Sequence, residues 1–307
     1  AFASVARTVN VTGDAARALK SEFQDLTTAI PESFENLSKI GTLAGQLDIP
    51  AESVARFTEV VAQFSATTNV GVEEAATNLG RLAQLTGTSS AEYANLGSAI
   101  YQVGVTSVAT ESEILDMASQ IATAGDLAGL TNTQIIALSG ALASLGVQPE
   151  AARGSLQRIF NIIEDGATTS TKATQLLAET TGMTIDQMKA LWKSGDQGSQ
   201  QVFSAFVKGL GEMQAAGEST TNFLKDMGVN AVRDQRLLQV LANNTDVYAQ
   251  ALENSSSAYA DSTNLSEAYN KQTDNVIDNL QRLISTLTAF IAEVGESNGA
   301  LSFFIKL

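Results

Sequence analysis

The chain has 307 residues, of which 44% are hydrophobic and only 6% aromatic, and its 18 basic and 33 acidic side chains leave a net charge of −15. That acidity, with no basic run, argues against binding nucleic acid by phosphate neutralisation, and the surface it implies favours solubility and non-adhesion. Cysteine and histidine are both absent, which excludes disulfides, thiolate metal sites, zincin motifs and Ser-His-Asp or Cys-His catalysis.

The length allows one large or two ordinary domains, and three prolines are few for a loop-rich chain. The first 30 residues read as one modestly amphipathic helix carrying Val5, Val9, Leu19, Phe23 and Leu26, with Gly13-Asp14 as a candidate interruption. After Pro31 the signal strengthens. Phe34, Leu37, Ile40, Leu43 and Leu47 recur every three or four residues, which places them on one helix face. Pro50 introduces the next helix, with Val54, Phe57, Val61 and Phe64. Proline suits that place because a first-turn N–H has no helical partner to lose.

Helical sets continue with Val72, Ala75, Leu79, Leu82 and Leu85, then with Tyr93, Leu96, Ile100 and Val103. Starts carry a repeated device: Ser89 with Glu92, Thr110 with Glu113, Thr131 with Gln134, and Thr184 with Gln187 all fit the capping box. Leu130 with Ile135, and Met183 with Met188, fall at hydrophobic-staple positions beside two of these boxes. Pro149-Glu150 opens a helix bearing Leu156, Ile159, Phe160 and Ile163. Later apolar runs are Leu176-Leu177, Met188-Leu191-Trp192, Val202-Phe203-Phe206-Leu210 and, after Gly228, Val232-Leu237-Leu238-Leu241. Gly71, Gly87, Gly104, Gly125, Gly146, Gly166 and Gly182 lie 16, 17, 21, 21, 20 and 16 residues apart. Glycines at such intervals predict helix ends.

The predicted fold is therefore all-α: a compact array of short antiparallel helices followed by a long C-terminal helix. The expected divisions are an N-terminal helical segment over 1–30, a compact multi-helix core over 31–257, and a heptad-bearing helix over 258–307 leading to an apolar segment. No proline or glycine falls between Ala258 and Val294, so the pattern allows a continuous helix there. Val276, Leu280, Leu283, Leu287, Phe290 and Val294 alternate four and three apart. That spacing marks them as a candidate oligomer seam, although it covers fewer heptads than a sustained coiled coil. Ala1 is not an initiator methionine and Leu301–Leu307 stops within an apolar run, so both ends read as cuts in a longer polypeptide.

Candidate chemistry is weak. Glu73-Glu74, Glu111/Glu113/Asp116 and Glu164-Asp165 are acid clusters, but neighbours on one helix do not face each other, and these read as solvated faces. The Gly125–Gly129 stretch lacks the context of a phosphate loop, and Asp126 lacks the spacing of a calcium loop. Trp192 reads as core. Arg153, Arg158, Arg233 and Arg236 read as structural residues rather than a phosphate site; Arg153, three positions after Glu150, is placed for local ion pairing. No catalytic, cofactor-binding or metal-ligating residue is assigned.

The stretches GVTSVATESEIL (104–115), AGDLAGLT (124–131) and ALASLGVQPEAARG (141–154) resemble the core of the phage tail tape measure family. The likeness extends from about Phe34 to about Tyr259 and takes in Phe223-Leu224-Lys225 and Arg233. The resemblance implies a non-enzymatic structural protein that templates tail-tube length during assembly in the host bacterial cytoplasm, sits in the tail lumen or tip, and leaves on genome ejection. Implied partners are tail-tube, distal tail and tail-tip proteins, tail assembly chaperones and further copies of the chain as a trimer. Host-membrane contact is expected only through segments beyond residue 300. The alternatives are a membrane-active channel for genome delivery and a murein-degrading tail enzyme, for which this chain shows no recognisable domain. The many breaks point to a folded tip or plug portion rather than an extended shaft.

Overall fold

A computed structural model describes residues 1–30, 32–169, 172–274 and 286. Among them all regular secondary structure is helical and no strand occurs, so the fold class is all-α as predicted. The chain opens with α1 (Phe2–Thr8), α2 (Gly13–Ala29), α3 (Phe34–Gln46), α4 (Ala51–Thr67) and α5 (Val72–Leu85). A 3-10 turn at Ser90–Glu92 leads into α6 (Tyr93–Val105), α7 (Glu111–Leu127), α8 (Asn132–Ser144) and α9 (Pro149–Thr168). Then follow α10 (Lys172–Thr181), α11 (Ile185–Ser194), α12 (Asp196–Ala215), α13 (Thr220–Asp226), α14 (Val232–Ala242) and α15 (Thr245–Asp261). Residues 1–265 form one compact unit and 266–307 a second, whose described backbone is helical over 266–274.

The helix starts obey local chemistry. All four capping boxes are formed, with hydroxyl and Glu or Gln reciprocating as expected; that at Ser89 opens the 3-10 turn. Such a box satisfies first-turn N–H groups that have no helical acceptor. Pro149 occupies the first position of α9 and Pro50 caps α4.

The segment 1–30 is two helices, parted just ahead of the candidate interruption at Gly13-Asp14, and both lie in the first unit: the Phe2 ring lies edge-on to Phe23 at 5.6 Å and 6.1 Å from Phe34. The spaced glycines all lie at or near helix ends, as expected, but they serve there in different ways. Gly87, Gly146 and Gly182 follow helices with positive φ, whereas Gly104, Gly125 and Gly166 lie inside the final turns of α6, α7 and α9. Gly125 is there for closeness: a Cβ on it would stand 2.7 Å from Cγ1 of Ile135 in α8. Finally, the continuous helix expected from Ala258 is interrupted, because α15 ends at Asp261 and Ser262 adopts φ 57 before helix resumes at 264. The predicted seam Val276, Leu280, Leu283, Leu287, Phe290 and Val294 lies outside the described residues, as does the apolar segment Leu301–Leu307.

Packing centres on α8, where every residue from Gln134 to Leu142 is buried. Helices α6, α7 and α15 pack on it, and α5 and α9 pack on α7 in turn. Burial on all sides explains why α8 lacks a one-sided apolar stripe. A second cluster joins α9, α12 and α15 through the rings of Phe160, Phe203 and Tyr248, with centroids 5.3 and 6.2 Å apart along that chain. Each fully buried large side chain contributes about 1.5–3 kcal/mol relative to exposure.

Candidate interaction surface

The most distinctive stretch of the sequence, 104–110, forms the corner between α6 and α7. Its hydroxyls tie it down. Thr106 Oγ1 donates to the Gln102 carbonyl at 2.6 Å, Ser107 Oγ donates to the Ala109 carbonyl at 3.2 Å, and Ser144 Oγ of α8 accepts from Ala109 N–H at 3.4 Å. Asn254 of α15 donates to Thr106 Oγ1 at 2.9 Å. The corner so held turns two aliphatic side chains outward: Val105 is 53% exposed and Val108 89%. Beside them lies a cavity of about 330 Å³ walled by Val103, Val108, Gly140, Leu145, Val247 and Ala251, with no ionisable residue in its lining. Thr106, Ser107, Ser144, Gln250 and Asn254 complete the lining, so the cavity is uncharged but mixed in polarity. At the far end of α7, Leu127 is also 72% exposed.

α15 closes one side of this surface; it buries Tyr248, Ala251 and Ala258 and is also tied by polar side chains. Ser255 Oγ donates to the Thr133 carbonyl at 2.9 Å, and Asn95 of α6 donates to the Tyr259 carbonyl at 2.8 Å. Asn132 donates to Thr88 Oγ1 at 2.8 Å and to the Tyr259 hydroxyl at 3.1 Å; that hydroxyl donates to Glu92 Oε1 at 3.3 Å. Glu92 is also held by the Ser89 side chain and backbone, which keep its carboxyl below the usual range. Burial pushes Tyr259 up, and it pushes the enclosed Tyr248 up to about 12.

The acid clusters behave differently from expectation in one respect. Asp116 is half-buried, and burial first, then the charges of Glu150 and Glu74, raise it above the usual carboxylate range. Glu74, Asp116 and Glu150 sit on three separate helices, α5, α7 and α9, so no reading of one helix face could find the group. Ser112 Oγ donates to Glu74 at 2.6 Å beside them. Among the described residues no group of acids is arranged to hold a metal ion, and no helix is long and apolar enough to cross a membrane.

Arg158, eight positions from Glu150, finds its ionic partner 76 positions away. Its Nε and Nη2 donate to the two carboxylate oxygens of Asp234 at 2.7 and 2.6 Å, joining α9 to α14. Burial pushes Asp234 up, but the hydrogen bonds from Arg158 and the positive charges of Arg158 and Arg233 outweigh it and hold the carboxyl below its usual range. Trp192 is core, as expected. Val232, placed by periodicity on an apolar face, is 62% exposed.

The described part of the first unit is all-helical, and Val105 and Val108 stand exposed at its α6–α7 corner. The profile of the phage-related minor tail proteins matches residues 14–228. The chain belongs to that family, and with it to the structural components of the virion tail. No curated protein and no solved structure matches it.

Proposed function

We propose that the chain is the folded portion of a tail tape measure protein, working in the tail lumen or tip, with tail-tube and tail-tip proteins, assembly chaperones and further copies of itself as partners. The family match over 14–228 carries this reading. The compactness of residues 1–265 supports assigning this portion to a folded piece rather than to the extended ruler, in which length would grow by about 1.5 Å per residue. The uncharged corner at Val105 and Val108 supplies a surface for a tail partner. The protein works mechanically: it positions other subunits and leaves as the genome is delivered.

Electron microscopy of tails tests both parts. Phage lacking this polypeptide are expected to make no tails, or tubes of unregulated length. A 20-residue insertion at the exposed Gly217 turn is expected to leave tail length unchanged, where a ruler segment would add about 30 Å. Tails of normal length without the polypeptide would overturn the tape measure reading. Tails lengthened by the insertion would overturn the assignment of this portion.

A further inference from the structure

The first half of α9 and the start of α14 carry Arg153, Arg158, Arg233 and Arg236. The acids in the same stretches are Glu150 and Asp234, so the sign of the charge is reversed locally on a chain of net charge −15. Asp234 is already spent, because it is buried and its carboxylate accepts two bonds from Arg158. Among the described residues Arg153, Arg233 and Arg236 are exposed and form no salt bridge.

Arg158 is the fixed member of the group. Its planar guanidinium presents N–H donors along more than one edge. Asp234 takes the edge made by Nε and Nη2, at 2.7 and 2.6 Å. The outer edge, made by Nη1 and the second N–H of Nη2, has no partner among the described residues. The Arg158 side chain is 49% exposed, although the carboxylate that pins it is 3% exposed. Gly154 leaves the room this takes: a Cβ there would stand 3.3 Å from Nη1. An arginine held in this way loses little freedom when it takes a second carboxylate. On α14, Val232 and Arg236 lie one turn apart on the exposed face, and Val232 is 62% exposed.

We propose that this face of α9 and α14 docks an acidic segment of a partner protein. One carboxylate of the segment takes the outer edge of Arg158, further carboxylates meet Arg153, Arg233 and Arg236, and an apolar side chain meets Val232. Nucleic acid fits the face less well. Its dense charge would meet repulsion from the rest of the chain, and an exposed valine offers its phosphates nothing. The face lies on other helices than the α6–α7 corner and does not depend on the use made of that corner.

Fluorescence anisotropy with the full chain tests this. The probe is a labelled, end-capped peptide of repeated Glu-Glu-Leu, set beside its Gln-Gln-Leu counterpart and an oligothymidylate of equal charge. The glutamate peptide is expected to bind most tightly of the three, and less tightly as salt rises. Arg158→Lys keeps the charge but loses the fork, and should weaken that binding about tenfold, as for the loss of one charge-assisted hydrogen bond. R233E/R236E should weaken it at least as much, and Val232→Ser several-fold. If Arg158→Lys fails to fold, the substitutions at the exposed positions 232, 233 and 236 decide. No binding of the glutamate peptide, equal binding of the glutamine peptide, tighter binding of the oligothymidylate, or an affinity unchanged in R233E/R236E would overturn the proposal.

Discussion

α4 and α15 are both 17 residues long, yet burial and hydrogen bonding hold them in different proportions. α4 buries Val54, Phe57, Val60, Val61 and Phe64, so removal of apolar area from water holds it. α15 buries Tyr248, Ala251, Ser255 and Ala258, and side chains of α6 and α8 bond directly to it. The first attachment is costly to undo. The second depends on position, and water can replace its bonds one at a time at a modest net cost.

The largest effect is expected in α4. Phe64 is fully buried, and Phe64→Ala should cost about 3–5 kcal/mol, read as a lowered denaturant midpoint. A loss no larger than that of a surface substitution would break the contrast with α15.

Between these extremes lies the ionic tie of α9 to α14. Arg158→Ala strands the buried Asp234 carboxylate and should cost about 1–3 kcal/mol at neutral pH. The sign with pH follows from the lowered Asp234 value. Its stabilisation is fully present above the ordinary carboxylate range near 3.9 and is lost as pH falls through the lower folded value. Unfolding curves of the parent and Arg158→Ala should therefore converge under strong acid; a gap that stays constant would contradict the assignment.

In α15, Ser255→Ala removes one bond to the Thr133 carbonyl and should cost about 0.5–1.5 kcal/mol, with amides of α15 exchanging faster and those of α4 unchanged. Equal acceleration in both helices would mean that they are not separately held.

The smallest effect concerns Asp116. A carboxyl raised in the fold loses stability as pH rises from the ordinary value through the raised one. Asp116→Asn should flatten that slope and stabilise the protein at neutral pH by about a few tenths of a kcal/mol. A decrease at neutral pH would show the charge to be favourable where it stands.

What the sequence reveals and what it hides divide along chain distance. The four capping boxes are complete within four residues each, and all four form. Apolar periodicity also finds most of the buried faces, because one helix sets it. The same rule misplaces Val232, whose outward position depends on what packs against α14. Arg158 with Asp234, Asp116 with Glu74 and Glu150, and Ser98 with Ser262 are all assembled by packing between helices distant in sequence. The outward turn of Val105 and Val108 carries no local signal either, since valine there looks like any other core residue. Glycine is ambiguous for a comparable reason: Gly146 ends a helix and Gly125 admits a neighbour, and nothing near either residue tells the two uses apart.

The interlocking of glycine with a facing side chain has a mechanical consequence. Ile135 fits over Gly125, Val103 over Gly140, Phe23 over Gly41 and Leu47 over Gly80. Each pair behaves as a key in a slot. Sliding one helix by a single residue, about 1.5 Å, would drive the key against a neighbouring Cβ. A stack with few aromatic residues thereby keeps its helices from creeping lengthwise, and a pull along their axes would meet stops rather than a smooth glide.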